Sequence, residues 1–425
     1  MSEVEFISLV DSGIEILDGD RGKNYPAKSD LAKHGDCVFL NTGNVKNNGF
    51  DFSDVDFISF EKDFSLRNGK LLREDIVMTT RGTVGNLAYY SKDIRFNHIR
   101  INSGMVIIRV NQENWIPYFI YLFLQSDLFK KQTQKLISGS AQPQLPISVL
   151  ETIRIPNYSM KQQEFIANQI QAIDQKIALN NQINEELEAM AKTLYDYWFV
   201  QFDFPDENGK PYKSSGGKMA YNDQLKREIP EGWGVKQLGE LCEFRNGINY
   251  EKSEAGDTLS KIVNVRNISN SSTFVTTYDL DSITLDRRRI ENYLVTDRTI
   301  LITRSGIPGA TRLVSDIPAN TIYSGFIIGA TVANLNLFYY VFYHLKNIEM
   351  LMSNQSAGTI MKNISQTTLS EIRIAIPNKE IQKVFSNQVR SLLDVIENNL
   401  KQNQELTQLR DWLLPMLMNG QVKVE

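Results

Sequence analysis

The feature that most constrains the fold of this chain is an internal repeat, in which the same short motifs occur twice in the same order. The matched segments, first copy and then second, are RGTVG (81–85) and RSGIPG (304–309), Ser103-Gly104 and Ser324-Gly325, LETIRIP (150–156) and LSEIRIAIP (369–377), and Asn168-Gln169 and Asn387-Gln388. Their separations fall between 219 and 223 residues, with arginine aligned to arginine at 223 in the first pair. This nearly constant spacing predicts two copies of one structural unit.

Each copy begins with a β-rich region and ends in a long amphipathic helix. In the helices, apolar residues at alternating steps of four and three form a heptad seam, as in coiled coils. The seam positions are Ile166, Ile170, Ile173, Ile177, Asn180, Asn184, Leu187, Ala191, Leu194 and Trp198 in the first copy, and Phe385, Val389, Leu392, Ile396, Asn399, Asn403, Leu406, Arg410 and Leu413 in the second. A helix of roughly 38 residues is about 57 Å long, which predicts a spacer or an interaction rod.

Two asparagines interrupt each seam at the same two positions, Asn180 and Asn184 in the first copy and Asn399 and Asn403 in the second. A bundle core is the alternative interpretation of any amphipathic helix. An asparagine in an apolar seam costs stability, however, and is tolerated mainly where it fixes register or orientation. If a two-fold axis relates the copies, the helices run antiparallel, with Asn180 beside Asn403 and Asn184 beside Asn399.

Length and composition limit the class of protein. With 425 residues the chain is too long for one compact core. The hydrophobic fraction of 42% and the charged fraction of 23% are typical of globular proteins, which excludes a disordered chain or a simple rod. The net charge of −4 argues against binding nucleic acid through bulk charge. Because the chain has no apolar run of 18 residues and no signal-like N-terminus, we expect no membrane and a cytoplasmic protein.

The sequence contains no complete catalytic or metal-binding motif. Two cysteines and three histidines are too scattered for a structural zinc site, and no phosphate loop, dinucleotide fingerprint or hydrolase elbow is present. Asp206 and Glu207 resemble a nuclease signature only faintly. Asp51, Asp54 and Asp56 are better explained as a solvated turn than as a calcium loop. We therefore expect no catalytic residue and no metal in this chain.

Two motifs between the copies are specific when taken together. YDYWFVQFDF at 195–204 is followed by NGKPYKSSGG at 208–217, and IPEGW occupies 229–233. With the Ile-Arg-Ile segments that precede both helices and the glycine turns of both copies, these motifs make the chain resemble the specificity (S) subunits of type I restriction–modification systems. The resemblance covers essentially the whole sequence, although the first copy lacks the Pro-Glu-Gly-Trp opening.

The resemblance implies an α+β fold: two β-rich target recognition domains in a pseudo-two-fold arrangement, separated by two long antiparallel coiled-coil helices. Each domain would read one part of a split, asymmetric site in double-stranded DNA. Two methyltransferase (M) subunits would supply adenine methylation with S-adenosylmethionine, and restriction (R) subunits would use ATP and Mg. No cofactor is expected in this chain.

The repeat and the motifs also predict domain limits. We expect a first recognition domain at 1–157, a long central helix at 158–200, a connector at 201–232, a second recognition domain at 233–378, a long C-terminal helix at 379–418 and a tail at 419–425.

Loops that follow strand-like runs in both copies are the candidates for DNA contact, because side chains on loops can reach base edges. The candidates are Asn41, Thr42, Asn44, Lys46, Arg81, Thr83, Ser140, Gln142 and Gln144 in the first copy, and Asn264, Arg266, Asn267, Arg304, Ser305, Thr359, Lys362 and Asn363 in the second. For each loop an ordinary surface turn is the alternative. Arg81 and Arg304 could equally brace their turns through their guanidinium groups.

Two other functions remain open from the sequence. A coiled-coil scaffold whose β-rich domains bind proteins would have the same layout, and it would fail to retain duplex DNA even with its partners. An enzyme with an unrecognised site, for example a nuclease at Asp206 and Glu207, would methylate or cleave DNA without any partner subunit. Residues 1–157 contain 18 Lys+Arg and 19 Asp+Glu, so we expect isolated DNA binding to be weak and salt-sensitive.

Overall fold

The computed structural model describes residues 4–47, 49–134, 144–251, 254–355 and 364–421. The chain divides into two units. The first comprises residues 1–177 and 405–425, and the second comprises residues 178–404. Each unit therefore contains one β-rich domain together with a segment of each long helix.

The first unit is built on two main sheets. An antiparallel sheet has the strand order Glu15–Asp18, Met105–Arg109, Ile76–Thr79, Leu87–Tyr89. A three-stranded sheet has the order Asp56–Ile58, Cys37–Leu40, Ile99–Ile101, and its last pair is parallel. Two small pairs join Phe6–Ser8 to Arg154–Pro156 and Val45–Lys46 to Gly49–Phe50. Its short helices are Lys28–Asp30, Thr42–Asn44, Phe60–Ser65, Pro117–Gln125, Asp127–Thr133 and Ile147–Leu150.

The second unit has the same plan. Its larger sheet has the order Cys242–Asn246, Ile327–Val332, Thr299–Thr303, Thr311–Val314, Phe274–Val275. Its three-stranded sheet has the order Asp281–Leu285, Thr258–Val263, Thr321–Tyr323. Gly234–Gln237 pairs with Arg373–Ile376, and Met219–Asn222 pairs with Arg227–Pro230. Its shorter helices are Asp196–Val200, Leu238–Glu240, Val265–Ser269, Thr277–Asp279, Arg287–Ile290, Glu291–Tyr293, Leu335–Gln355 and Gln366–Ser370.

The strand pairing confirms the duplication. In each unit the central strand of the three-stranded sheet pairs antiparallel on one side and parallel on the other. The parallel register joins Val38 to Ile99 in the first unit and Lys261 to Thr321 in the second. A parallel pair requires a crossover connection, so its recurrence at the same place reflects a repeated topology.

Continuous apolar runs explain the central strands. Every side chain of Cys37–Leu40, Ile76–Thr79 and Thr299–Thr303 is buried, as expected for strands covered on both faces. Pro117 begins a helix in which seven of nine residues are buried, in a position where its missing N–H costs nothing. The domain cores are therefore formed by sheet and helix together.

The two long helices are Met160–Tyr195 and Lys379–Met418, referred to below as the central helix and the C-terminal helix. In the first unit, Ile166 and Ile170 of the central helix share a core with Leu417 and Met418 of the C-terminal helix. In the second unit, the end of the central helix packs with the beginning of the C-terminal helix, around Phe385. Within each unit the two helix segments therefore run antiparallel.

The aromatic segment after the central helix is part of the second unit's core. Trp198, Phe199, Phe202 and Phe204 are all buried, and the Phe204 ring stacks on Trp233 with ring centroids 5.2 Å apart. Residues 206–210 then form an exposed turn. Among the described residues, no helix combines the length and apolar character needed to cross a membrane.

Candidate nucleic-acid interface

Four segments of the first unit, which are distant in sequence, meet at one place. The Asn102 N–H donates to the Leu40 carbonyl (3.0 Å), the Thr80 N–H to the Gly104 carbonyl (2.9 Å), and the Leu145 N–H to the Thr80 carbonyl (3.1 Å). These bonds hold residues 41–46, 80–85, 102–104 and 144–145 together, and we call this group the first loop cluster.

The second unit repeats the arrangement. The Ser324 N–H donates to the Val263 carbonyl (3.0 Å), the Arg304 N–H to the Phe326 carbonyl (2.9 Å), and the Ile364 N–H to the Arg304 carbonyl (3.1 Å). Residues 264–269, 303–309, 324–326 and 364 form the second loop cluster. Within each unit, the described parts of the predicted loops thus lie together.

These hydrogen bonds correct the alignment of the glycine turns. The Thr79 and Thr303 hydroxyls play the same part, since each donates to the carbonyl four residues later. Gly82 and Gly85 have positive φ angles, and so do Gly306 and Gly309. The true offset is therefore 224, and the match of Arg81 to Arg304 at 223 is wrong by one residue. Arg81 corresponds to Ser305, whereas Arg304 corresponds to Thr80.

The next turn also shifts by one residue. The Gly104 and Phe326 carbonyls accept the equivalent N–H groups, so Gly104 corresponds to Phe326 at an offset of 222. The sequence match aligned Ser103-Gly104 with Ser324-Gly325 because the residues are identical, at an offset of 221. The hydrogen bonds give an offset of 222. Sequence matching does not detect a shift of one residue within a short loop, because the strands on either side still align.

The candidates Asn44 and Asn267 brace their own loops. Both are buried. The Asn44 side chain accepts from the Asn41 N–H (3.0 Å) and donates to the Asp54 carbonyl (2.9 Å). The Asn267 side chain accepts from the Asn264 N–H (2.8 Å) and donates to the Asp279 carbonyl (3.2 Å). Their amides are occupied inside the loops and are not presented to a ligand.

The remaining candidates at the start of these loops are more accessible. The exposed Asn41 caps its turn by accepting from the Gly43 N–H (2.8 Å), and Thr42 is half-buried beside it. In the second unit the exposed Arg266 forms an ion pair with Asp281 (2.6 Å), which also accepts from Asn264 (3.2 Å). The positive charge of Arg266 is thus compensated locally.

The two candidate arginines behave differently. The Arg81 side chain is exposed and has no hydrogen-bond or ion-pair partner in the described part of the chain. Arg304 is half-buried, and its Nη1 donates to the Gly325 carbonyl (3.1 Å). Its Nε is buried without an acceptor among the described residues. Arg304 therefore braces the turn at 324–326, while Arg81 is available to a ligand.

The other candidates divide by position. Lys46, Thr83 and Gln144 are exposed, and Gln144 lies beside Arg81 in an isolated antiparallel bridge. Ser305 is half-buried. Ser140, Gln142, Thr359, Lys362 and Asn363 lie outside the described residues.

Three residues of the second loop cluster were not predicted from the sequence. They are Val265, Ile307 and Phe326, the structural counterparts of Thr42, Thr83 and Gly104. Phe326 is 64% exposed and Ile307 is 49% exposed. Offsets of 224 and 222 in the repeat would have revealed Ile307 and Phe326. Val265 lies in a loop already matched at 223, but the prediction selected polar side chains and so passed over it.

The acidic turn at 51–56 is held by protein groups. Lys33 bridges Asp54 (2.6 Å) and Asp56 (3.1 Å), and the Ser53 hydroxyl donates to Asp51 (2.6 Å). The hydrogen bonds from Ser53 lower the pKa of Asp51. Within the described residues no group of three or more His, Cys, Asp or Glu side chains could hold a metal ion.

The seam asparagines meet in the second unit as side-chain pairs. The Asn180 amide donates to Asn403 Oδ1 (2.9 Å), and the Asn399 amide donates to Asn184 Oδ1 (2.9 Å). The Asn403 amide in turn donates to Asn181 Oδ1 (2.8 Å). These are the two pairs that an antiparallel seam predicts.

Comparisons with known proteins agree with this arrangement. The family described as type I restriction modification DNA specificity domain matches residues 4–189 and again residues 230–408. The chain is 24% identical to the HindI specificity subunit of a type I restriction enzyme from Haemophilus influenzae, over 95% of this chain and 98% of that protein. It is 26% identical to the MjaIX specificity subunit from Methanocaldococcus jannaschii, over 82% of this chain and 78% of that protein.

The fold is also found in a solved structure. The type I restriction–modification S subunit from M. genitalium superposes with a TM-score of 0.57 at 16% identity, covering 98% of this chain and 97% of that chain. The likeness of fold therefore extends over nearly the whole molecule.

Proposed function

This chain belongs to the type I restriction–modification DNA specificity family, and we propose that each of its loop clusters reads one half of a bipartite, asymmetric site in double-stranded DNA. The observation that carries the proposal is that the same four-segment cluster is built twice, once in each unit, from loops that carry exposed side chains. Loops held by a rigid sheet are suited to placing side chains against base edges. Phosphate contacts by Lys46 and Arg81 would fix the register of the domain on the duplex.

We further propose that the chain catalyses nothing itself and directs partner subunits to the site. Two methyltransferase (M) subunits would use S-adenosylmethionine to methylate adenine, and restriction (R) subunits would use ATP and Mg. The chain would act in the cytoplasm. This division of labour fits a chain whose loop clusters contain hydrogen-bonding groups but no nucleophile paired with a base.

A duplicated apolar surface supports a partner that binds twice. Phe165 and Val384 are equivalent positions of the two long helices, as are Met190 and Leu409, and all four are exposed. The first unit carries Phe165 and Leu409, and the second carries Val384 and Met190. Exposed apolar residues repeated in this way suggest two equal docking surfaces.

Mapping of adenine methylation tests the proposed reading of DNA. The chain is expressed with its methyltransferase partner, and methylated adenines are located across the host genome with and without it. We expect one bipartite motif. Exchange of residues 233–378 for those of another family member should change one half of the motif and leave the other half unchanged. If the chain is only a protein scaffold, no methylated motif will depend on it. Methylation or cleavage of DNA by the purified chain without partners would contradict the proposal that this chain is not catalytic.

The docking surfaces are tested by the mass of the complex. The paired change Phe165→Asp and Leu409→Asp, confined to the first unit, should reduce the number of bound methyltransferase subunits from two to one. Leu179→Asp is the matched control, because Leu179 is exposed on the same helix and its counterpart is the polar Asn398. Two bound subunits in the paired variant would refute the assignment of these surfaces.

A further inference from the structure

The two loop clusters present different chemistry at structurally equivalent positions. The first cluster has the hydroxyls of Thr42 and Thr83, where the second has the apolar side chains of Val265 and Ile307. Matching hydrogen bonds establish the equivalence. The Thr79 hydroxyl donates to the Thr83 carbonyl, as the Thr303 hydroxyl does to the Ile307 carbonyl. The Asn41 N–H donates to the Asn44 side chain, as the Asn264 N–H does to the Asn267 side chain. At these two positions the first unit therefore has polar side chains and the second unit has apolar ones.

The largest difference is at the turn between the last two strands. The Gly104 carbonyl accepts from the Thr80 N–H, and the Phe326 carbonyl accepts from the Arg304 N–H, each at 2.9 Å. A Cβ added at Gly104 would lie 2.7 Å from Thr42 Cγ2, so no side chain fits there without a shift of that methyl group. The second unit has a phenylalanine at this position.

The turn holds the backbone of Phe326 firmly while leaving its ring in solvent. The Gly325 N–H donates to the Ile248 carbonyl (2.8 Å), and Arg304 Nη1 donates to the Gly325 carbonyl (3.1 Å). A Cβ at Gly325 would meet Asn249 Oδ1 at 2.0 Å, so any larger residue there would displace the Asn249 side chain. Phe326 nevertheless stays 64% exposed, with Ile307 49% exposed in the same cluster. Exposed apolar surface of this kind does not stabilise the domain, which suggests that it serves binding.

The apolar group that DNA offers to such a surface is the C5 methyl of thymine in the major groove. We propose that Phe326, assisted by Ile307, reads thymine methyl groups in the half-site recognised by the second unit, whereas the first unit reads its half-site through polar contacts. This inference rests on the proposed function, because it names the chemistry by which one loop cluster distinguishes bases. It makes the two readers chemically unlike despite their common fold.

Uracil substitution in the DNA is the direct test, because it removes only the methyl group. The complex of this chain with its methyltransferase partner is assayed on duplexes that carry the mapped motif, with each thymine of either half replaced by uracil. The exchange of residues 233–378 assigns the half-sites beforehand. We expect at least one replacement in the second half-site to weaken binding about tenfold, the scale of one methyl group in an apolar contact. Replacements in the first half-site should change it less than about twofold.

The variant Phe326→Ala should lose the preference for thymine over uracil. It should bind both duplexes equally, with the weak affinity that the parent complex has for the uracil duplex. Its unfolding temperature should match that of the parent, since the ring is exposed. Tyr221→Ala is the control: this tyrosine is 62% exposed in the same unit but lies on the connector hairpin outside the cluster. It should leave the preference for thymine intact.

Three results would overturn the inference. They are a second half-site without thymine on either strand, equal binding of thymine and uracil by the parent complex, and a thymine preference that survives in Phe326→Ala. If the parent shows no thymine preference but Phe326→Ala still binds DNA more weakly, the ring contributes by inserting between base pairs. That result would also refute the reading of thymine methyl groups. Absence of any bipartite motif would instead reject the proposed function.

Discussion

The residues that differ between the two copies show where the repeat has diverged. Arg100 lies on Ile99–Ile101, the last strand of the three-stranded sheet, and is buried with Asp63, to which its Nε donates. Arg100 also donates to the Asn68 carbonyl (2.8 Å), and Lys70 pairs with Asp63 (2.6 Å). Its structural counterpart in the second unit is Ile322, in an apolar cluster. One domain thus keeps a buried ion pair where the other has ordinary hydrophobic packing.

This contrast predicts that Arg100→Ile alone destabilises the chain by about 3–5 kcal/mol, because it leaves the Asp63 carboxylate buried with less compensation. The double change Asp63→Leu and Arg100→Ile should cost less than the single change. The measurement is chemical denaturation, with Lys33→Ala as control, since its pairs with Asp54 and Asp56 are exposed and should contribute less than about 1 kcal/mol. A double variant less stable than Arg100→Ile would contradict the argument.

His344 makes the stability of the second unit depend on pH. Burial, and then the nearby charge of Arg227, lowers the pKa of His344 to about 4, and its Nδ1 lies 2.9 Å from the Tyr195 hydroxyl. An unfolded chain protonates this imidazole near pH 6.5. Stability from the neutral imidazole is therefore full above about pH 6.5 and is lost as the pH falls towards 4, by up to about 3 kcal/mol.

His344→Asn should flatten the dependence of the unfolding free energy on pH between 6.5 and 4, because an amide near Tyr195 does not titrate in that range. His34→Asn and His98→Asn serve as controls for the substitution itself, because both of these histidines are exposed. An unchanged profile in His344→Asn would show that other groups cause the loss of stability in acid.

The long helices were the elements most accessible from sequence, because a heptad seam without glycine or proline has few alternative conformations. Their observed bounds, Met160–Tyr195 and Lys379–Met418, follow the predicted seam closely. The loops were less accessible. Sequence matching paired Arg81 with Arg304, whereas the hydrogen bonds of Thr79 and Thr303 and the positive φ angles of the turn glycines reveal a shift of one residue. Burial of Asn44 likewise depends on contacts that the linear sequence does not contain.

The asparagine pairs of the helix seam are expected to specify register at a cost in stability. Asn184→Leu alone should destabilise the chain by about 1–3 kcal/mol, because it leaves the buried Asn399 amide unsatisfied. The double change Asn184→Leu and Asn399→Leu should recover that loss or exceed the parent in stability. Thermal unfolding measures both, with the exposed Asn398→Leu as control. Asn399→Leu alone completes the cycle, and if the double variant loses the sum of the two single losses, the pair has no energetic coupling.

At the scale of the whole molecule, charge limits how strongly this chain can hold DNA alone. The net charge is −4, and some cations of the second domain are compensated, Arg266 by Asp281 and Arg289 by Glu254. Attraction to phosphates must therefore come from cations that no neighbouring carboxylate neutralises, such as Arg81. We infer that the partner subunits contribute much of the affinity of the complex for DNA, while this chain contributes its selectivity for sequence.

The free chain should accordingly bind duplex DNA with a Kd of about 10⁻⁴–10⁻⁶ M near 0.15 M salt, the range of non-specific binding. Arg81→Ala should weaken binding to every sequence alike and reduce the slope of log affinity against log salt by about one, because it removes one phosphate contact. Arg266→Ala is the matched comparison: since Asp281 already neutralises this arginine, its removal should change the slope much less. The measurement is a fluorescence titration at several salt concentrations. Nanomolar binding by the free chain at 0.15 M salt would show that this chain supplies the grip itself, and equal slopes for the two variants would remove Arg81 from the phosphate contacts.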